Sequence, residues 1–175
     1  MSIKEKIRAI PDYPKKGIMF RDITTLLKDA AGFAETIDAL VDRYKSFSID
    51  KIAGIESRGF VVGAPLAYLL GIGFIPVRKQ GKLPGETIGV DYELEYGTDR
   101  LEMHTDSLEP GDKVLLVDDL IATGGTALAS AKLIEELEGK VIECCFIVDL
   151  PDLGGSRLLK SRGYETFSLC DFEGD

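Results

Sequence analysis

Val114-Leu115-Leu116-Val117-Asp118-Asp119-Leu120-Ile121-Ala122-Thr123-Gly124-Gly125-Thr126 is the stretch that decides the fold. It reads as four buried-strand residues, two adjacent carboxylates, a short turn, and a glycine pair opening a helix. An apolar strand of Val and Leu suits a parallel sheet covered on both faces. In open α/β sheets the loop at the carboxyl end of such a strand is where ligands bind. The backbone N–H groups of Ala122, Thr123, Gly124, Gly125 and Thr126 can converge on one phosphate, because glycine permits close approach and a helix start is electropositive. Two carboxylates beside an anion site suit a phosphate carried by a sugar, whose vicinal hydroxyls need strong acceptors. A bland alternative is that Asp118-Asp119 caps a helix and Gly124-Gly125 is a flexible loop.

Working outward, the rest of the chain alternates strands and helices. Apolar segments over 51–55, 72–77, 113–117, 141–150 and 164–170 predict strands, and the patterns over 31–46, 59–70, 126–137 and 154–162 predict helices. Pro65 is expected to limit or kink the second of these helices. Ser2 and Glu5 form a capping box that predicts a short helix running to about Arg8. Residues 18–27 read as a connector, and 78–86 as an exposed loop. Residues 87–94 and 100–104 read as two extended arms, and 89–101 as a region with no convincing buried face. The expected class is α/β: a central, mostly parallel twisted sheet flanked by helices with right-handed crossovers, in a single domain over 1–175.

Composition excludes several classes. The 175 residues, 45% hydrophobic and 29% charged, describe a globular chain long enough for a sizeable core. No run of about 18 apolar residues suggests a membrane span, and the N-terminus carries no apolar signal-peptide core, which points to the cytoplasm. Cys144 and Cys145 are adjacent and Cys170 distant, which is neither a disulfide framework nor a zinc spacing, so reduced thiols are expected. A net charge of −9 argues against a nucleic-acid surface. Arg78, Lys79 and Lys82 nevertheless cluster, Arg58 sits in a glycine-flanked loop, and Arg21 follows Phe20, which suits a small polyanionic ligand. A P-loop is excluded because no Gly-x-x-x-x-Gly-Lys-Ser/Thr run occurs, and no Gly-x-Gly-x-x-Gly opens a first βαβ unit. His104, the only histidine, has no evident partner, and no Ser/His/Asp or Cys/His arrangement suggests covalent catalysis.

The string around Asp118-Asp119 resembles the phosphoribosyl pyrophosphate motif of the type I phosphoribosyltransferases. Its Ala-Thr-Gly-Gly-Thr ending is most similar to the adenine-using branch of that family. The likeness extends from Gly17 through Leu150-Pro151-Asp152-Leu153-Gly154-Gly155 to the terminal strand. It implies a purine-salvage transferase that converts adenine and 5-phosphoribosyl 1-pyrophosphate to AMP and pyrophosphate, as a homodimer, with Mg²⁺ carried by the substrate and no certain protein metal ligand. A sibling enzyme for hypoxanthine, guanine or xanthine, and a non-catalytic sensor of phosphoribosyl pyrophosphate, are the alternatives.

Residue by residue, the resemblance assigns Asp118, Asp119, Ala122, Thr123, Gly124, Gly125 and Thr126 to the phosphoribosyl group. Taken alone, Arg58 and the segment Arg78-Lys79-Gln80-Gly81-Lys82-Leu83-Pro84-Gly85 read as solvated loop cations. The resemblance makes Arg58, Arg78, Lys79 and Lys82 partners of the departing diphosphate. It likens Tyr92 to Gly97 to a catalytic loop in which Glu95 faces the base and Tyr96 helps close the site. Whether Glu95 takes a proton or only hydrogen-bonds the purine stays open. Phe20 would stack on adenine, with backbone contacts from Met19 and Arg21. Residues 1–30 would then form a base-binding hood and 85–105 a flexible lid.

Overall fold

The computed structural model describes residues 1–94 and 96–174. The capping box forms: Ser2 N donates to Glu5 Oε2 at 2.7 Å and Glu5 N to Ser2 Oγ at 3.3 Å. The helix it opens is a single 3-10 turn, Lys4–Lys6, and does not reach Arg8. Instead β1 (Arg8–Ile10) pairs antiparallel with β2 (Phe20–Asp22), inside the segment expected to be a connector. Tertiary contacts override the local helix signal: Arg8 makes an ion pair with Asp22, and Thr25 Oγ1 donates to Lys6 O while accepting from Arg8 N. After a short α1 (Thr24–Leu27), α2 (Ala30–Tyr44) is capped by Asp29, whose carboxylate accepts from Gly32 N at 2.9 Å.

The βαβ rhythm then builds one sheet from β3 (Lys51–Ile55), β4 (Gly73–Lys79), β5 (Thr87–Glu93), β6 (Thr98–His104), β7 (Lys113–Ile121), β8 (Lys140–Asp149) and β9 (Thr166–Asp171). The helices between them are α3 (Arg58–Leu70), α4 (Gly125–Glu136) and α5 (Gly155–Ser161). Pro65 lies within α3, which continues past it to Leu70. The seven strands lie in the order β5-β6-β4-β3-β7-β8-β9. The five from β4 to β9 are mutually parallel, and the β5–β6 hairpin joins β4 antiparallel.

Both sheet faces are covered. On one, α2 and α3 pack on Ile52, Leu115, Val117, Cys145 and Ile147; on the other, α4 and α5 pack on Ala53, Leu116, Cys144 and Phe146. The adjacent thiols Cys144 and Cys145 thus point to opposite faces, free and buried. The hairpin has a buried face after all. Its cross-strand pairs Ile88–Met103 and Val90–Leu101 lie against the second core, with Leu101 and Met103 fully buried. The tip lies clear of it, with Leu94 and Tyr96 exposed. Chain order reverses between β3 and β7, since β3 leads through α3 to one neighbour and β7 through α4 to the other. The crevice at that switch point is where open α/β sheets bind ligands.

Far from the crevice, Glu143 on β8 is 7% exposed and is gripped by Arg43 of α2 through Nη2–Oε1 (2.6 Å) and Nε–Oε2 (3.2 Å). The guanidinium also lies 3.7 Å from the centre of the Phe167 ring. Arg43→Ala should cost about 2–3 kcal/mol by leaving that carboxylate buried and unpaired, seen as a lower urea midpoint at unchanged slope. An unmoved midpoint would show the pair to be energetically neutral.

Candidate active site

At the carboxyl end of β3 the chain turns through Glu56 and Ser57, joined by a cis peptide, directly into α3 at Arg58. Beside it β7 runs further than its apolar run suggests, to Ile121, so Asp118 and Asp119 are strand residues rather than loop residues. The turn 122–124 then leads into α4, with Gly124 at φ +90° in the cap position. Together these segments and Tyr92 of β5 line a cleft of about 510 Å³. Thr123 and Thr126 are exposed at its wall, so the turn opens outward and is not packed away.

Asp119 is buried, and its Oδ2 accepts from Arg58 Nε at 2.5 Å; the Asp119 amide donates to Asp118 Oδ1 at 2.8 Å. Burial and the neighbouring Asp119 carboxylate push the Asp118 carboxyl well above the ordinary carboxylate range. Burial works against the charge on Arg58, but Asp119 outweighs it, with Asp118 and Asp22 adding to the pull, so the guanidinium is held more firmly protonated.

Arg78 and Lys79 end β4, where they pair with Glu102 and Leu101, and do not begin a loop as expected. Glu56 ties them to β3: its Oε1 accepts from Lys79 N at 2.6 Å and lies 3.5 Å from Arg78 Nε. The Lys79 ammonium points to Asp99, 3.4 Å away, which also accepts from the Tyr92 hydroxyl at 3.3 Å. Lys79, Lys82 and Tyr96 do not line the cleft, and Arg78 approaches it only through Glu56. Glu95 lies outside the described residues. His104 has a partner that the sequence does not reveal, since Nε2 is 2.8 Å from the Pro84 carbonyl oxygen.

A second cavity of about 430 Å³ adjoins the first. Met19, Phe20 and Arg21 line one side, with Phe20 in edge contact with Tyr13 at 5.1 Å and the Arg21 guanidinium 4.1 Å from the centre of the Phe172 ring. Leu120, Leu150 and Leu153 line the other. The sequence reading missed these leucines, because nothing in a lone apolar residue separates a cavity wall from core. Arg58, Leu120 and Ala122 line both cavities.

The phosphoribosyl transferase domain family matches residues 22–171. The adenine phosphoribosyltransferase of Nitrosomonas europaea is 65% identical over 173 residues, covering 99% of each chain. The chain belongs to the adenine phosphoribosyltransferase family. Among solved structures, the adenine phosphoribosyltransferase of Thermoanaerobacter pseudethanolicus superimposes with a TM-score of 0.92 at 54% identity, covering 97% of this chain and 98% of that one. The Saccharomyces cerevisiae adenine phosphoribosyltransferase, solved with adenine and an imino-altritol bisphosphate, gives 0.89 at 40% identity over 95% and 96%. The family fold is therefore the one built here, a central mostly parallel sheet flanked by helices.

The raised Asp118 pKa has a consequence for stability in this adenine phosphoribosyltransferase family member. Above about pH 4 an unfolded chain has released the Asp118 proton, while the folded protein retains it. Stability therefore falls as pH rises from that value toward the folded-state pKa and stays low above it. Asp118→Asn cannot ionise and can keep the bond from the Asp119 amide. In EDTA its Tm should exceed the parent's at pH 8, with the gain gone at pH 3.5. Equal Tm values at pH 8 would mean that the crevice does not strain this carboxylate.

Proposed function

We propose that the chain transfers the 5-phosphoribosyl group from its pyrophosphate to adenine, giving AMP and pyrophosphate. The observation that carries this reading is that the two cavities share Arg58, Leu120 and Ala122. A sugar carbon bound in one is thereby set beside a planar base in the other. The turn 122–126 and the start of α4 take the 5-phosphate, and Asp118 and Asp119 accept from the ribose hydroxyls. As the C1–O bond breaks, positive charge grows on the sugar next to those acidic groups. The departing diphosphate is met by Arg58 and, from the end of β4 and its following loop, by Arg78, Lys79 and Lys82. To take part, Lys79 has to leave Asp99. Phe20 stacks on adenine against the leucine wall, with Met19 and Arg21 at the base edge.

Residues 1–30 act as the hood and 85–105 as the lid, of which β5 and β6 are held to the core through Ile88, Val90, Leu101 and Met103. Glu95 faces the base, and Tyr96 helps close the site and keep water out. Among the described residues no cluster of three or more acidic, His or Cys side chains could cage a metal. Asp118 and Asp119 fit Mg²⁺ held mainly by substrate oxygens and water, with at most one or two carboxylates assisting. Bound there, Mg²⁺ would neutralise charge on the diphosphate.

A homodimer is expected of this family. The outer face of α3 offers a surface for one: Val61, Tyr68 and Leu69 are 42%, 83% and 52% exposed on a helix with no charged side chain after Arg58. Among the described residues no helix is long and apolar enough to cross a membrane; a cytoplasmic location is part of the proposal.

Purified protein with Mg²⁺ and labelled phosphoribosyl pyrophosphate should form nucleotide fastest from adenine. A preference for hypoxanthine, guanine or xanthine would reassign the base, and no product from any base would leave a sensor. Phe20→Ala should raise KM for adenine about tenfold or more, since an aromatic stacking partner is worth on the order of 1–3 kcal/mol per base, with KM for phosphoribosyl pyrophosphate little changed. Glu95→Ala should lower kcat about a hundredfold, the usual scale for a lost proton-transfer or transition-state contact, and leave both KM values close to the parent's. Unchanged kcat would remove Glu95 from the chemistry.

A further inference from the structure

The turn before α4 does not rest on its own strand alone. After β8 the chain runs Leu150-Pro151-Asp152-Leu153-Gly154-Gly155 through a 3-10 turn, Pro151–Leu153, into α5. Leu150 and Leu153 face the second cavity, whereas Gly155 lines neither. It stands behind the wall of the first. Its N–H donates to the Ala122 carbonyl oxygen at 2.9 Å. A methyl group placed on Gly155 would lie 2.5 Å from that oxygen and 2.8 Å from the Gly124 amide nitrogen. A methyl on Gly124 would lie 3.0 Å from both the Cα and the carbonyl oxygen of Gly155. The crowded neighbours include backbone on both sides, so a change of side-chain rotamer cannot relieve the overlap.

We propose that Gly155 is a positioning residue for the phosphate-binding turn. It is the backstop that sets where Ala122 and Gly124 lie, and hence where the amides of 122–126 aim. The inference rests on the reading of the first cavity as the 5-phosphate site. Hydrogen bonds weaken steeply once the donor is misdirected, so a displacement of a few tenths of an ångström in this turn affects several amide contacts to one phosphate together. Neighbouring Gly154 provides an internal comparison. Unlike Gly155 it has a positive φ, +85°, and a methyl on it would meet only the flexible end of Arg157, 3.4 Å away.

Gly155→Ala should therefore raise KM for phosphoribosyl pyrophosphate about tenfold, the scale of a small misplacement in a binding constellation, while KM for adenine stays within about twofold. Gly154→Ala should lower Tm and leave both KM values alone. Unchanged KM for phosphoribosyl pyrophosphate in a folded Gly155→Ala, or the same KM pattern in both variants, would overturn the proposal. If Gly155→Ala fails to fold, hydrogen exchange on the unaltered protein decides. Ribose 5-phosphate should slow exchange of the Gly155 amide, and binding without that protection overturns the role of Gly155 alone. Failure of ribose 5-phosphate to bind at all removes the 5-phosphate site, and the proposal with it.

Discussion

The crevice between β3 and β7 holds two carboxylates side by side, and Arg58 reaches them across it. Everything else in the site is arranged around that charge balance. Asp119, the more buried of the two, has the guanidinium at 2.5 Å; Asp118 has the Asp119 amide and no comparably close cation. Such a pair is costly to bury and would be a poor choice for stability alone. It is well suited to holding a diol, because both groups keep acceptor capacity turned toward the cleft. Stability is supplied elsewhere, by a sheet covered on both faces.

Because Arg58 lines both cavities, on the proposed reading its position bears on both halves of the reaction. In the structure it neutralises Asp119. With a diphosphate in the cleft, a second anionic partner competes for the same fork, and a planar guanidinium with five donors can serve both. The neighbouring cations are restrained in a similar way: Arg78 by Glu56, and Lys79 by Asp99. Each sits next to an acidic partner, and of the two partners Glu56 lines the cleft itself. The cluster is thus pre-assembled without presenting a group of unpaired like charges, which would repel one another.

Much of this was legible in the sequence, for identifiable reasons. The parallel sheet, its helices and the turn at 122–126 follow from long apolar periods punctuated by glycine, and the structure places them within a few residues of expectation. The opposed faces of Cys144 and Cys145 follow from strand alternation alone. The failures have physical causes too. The capping box at Ser2 and Glu5 predicts a helix to about Arg8, but it opens only one 3-10 turn, because Arg8 is recruited by Asp22 of the neighbouring strand. The hairpin was read as lacking a buried face although Ile88, Val90 and Tyr92 alternate correctly. Interspersed Asp91 and Glu93 obscured a period that only the pairing with Leu101 and Met103 makes plain. Leu120, Leu150 and Leu153 converge from two strand ends and a following turn, and no local pattern encodes that convergence.

A chain of net charge −9 that handles a polyanion raises an electrostatic question that the geometry answers. At physiological ionic strength exposed charges are screened beyond a Debye length of about 8 Å. Acidic groups scattered over the far surface therefore contribute little potential inside the cleft. What lines the cleft is local: the Arg58 guanidinium, the turn 122–124 opening α4, and the carboxylates of Glu56, Glu93, Asp118 and Asp119. Groups in a partly desolvated cleft are screened far less than those outside it, so these few neighbours decide the local potential. Duplex binding, by contrast, draws on an extended cationic face.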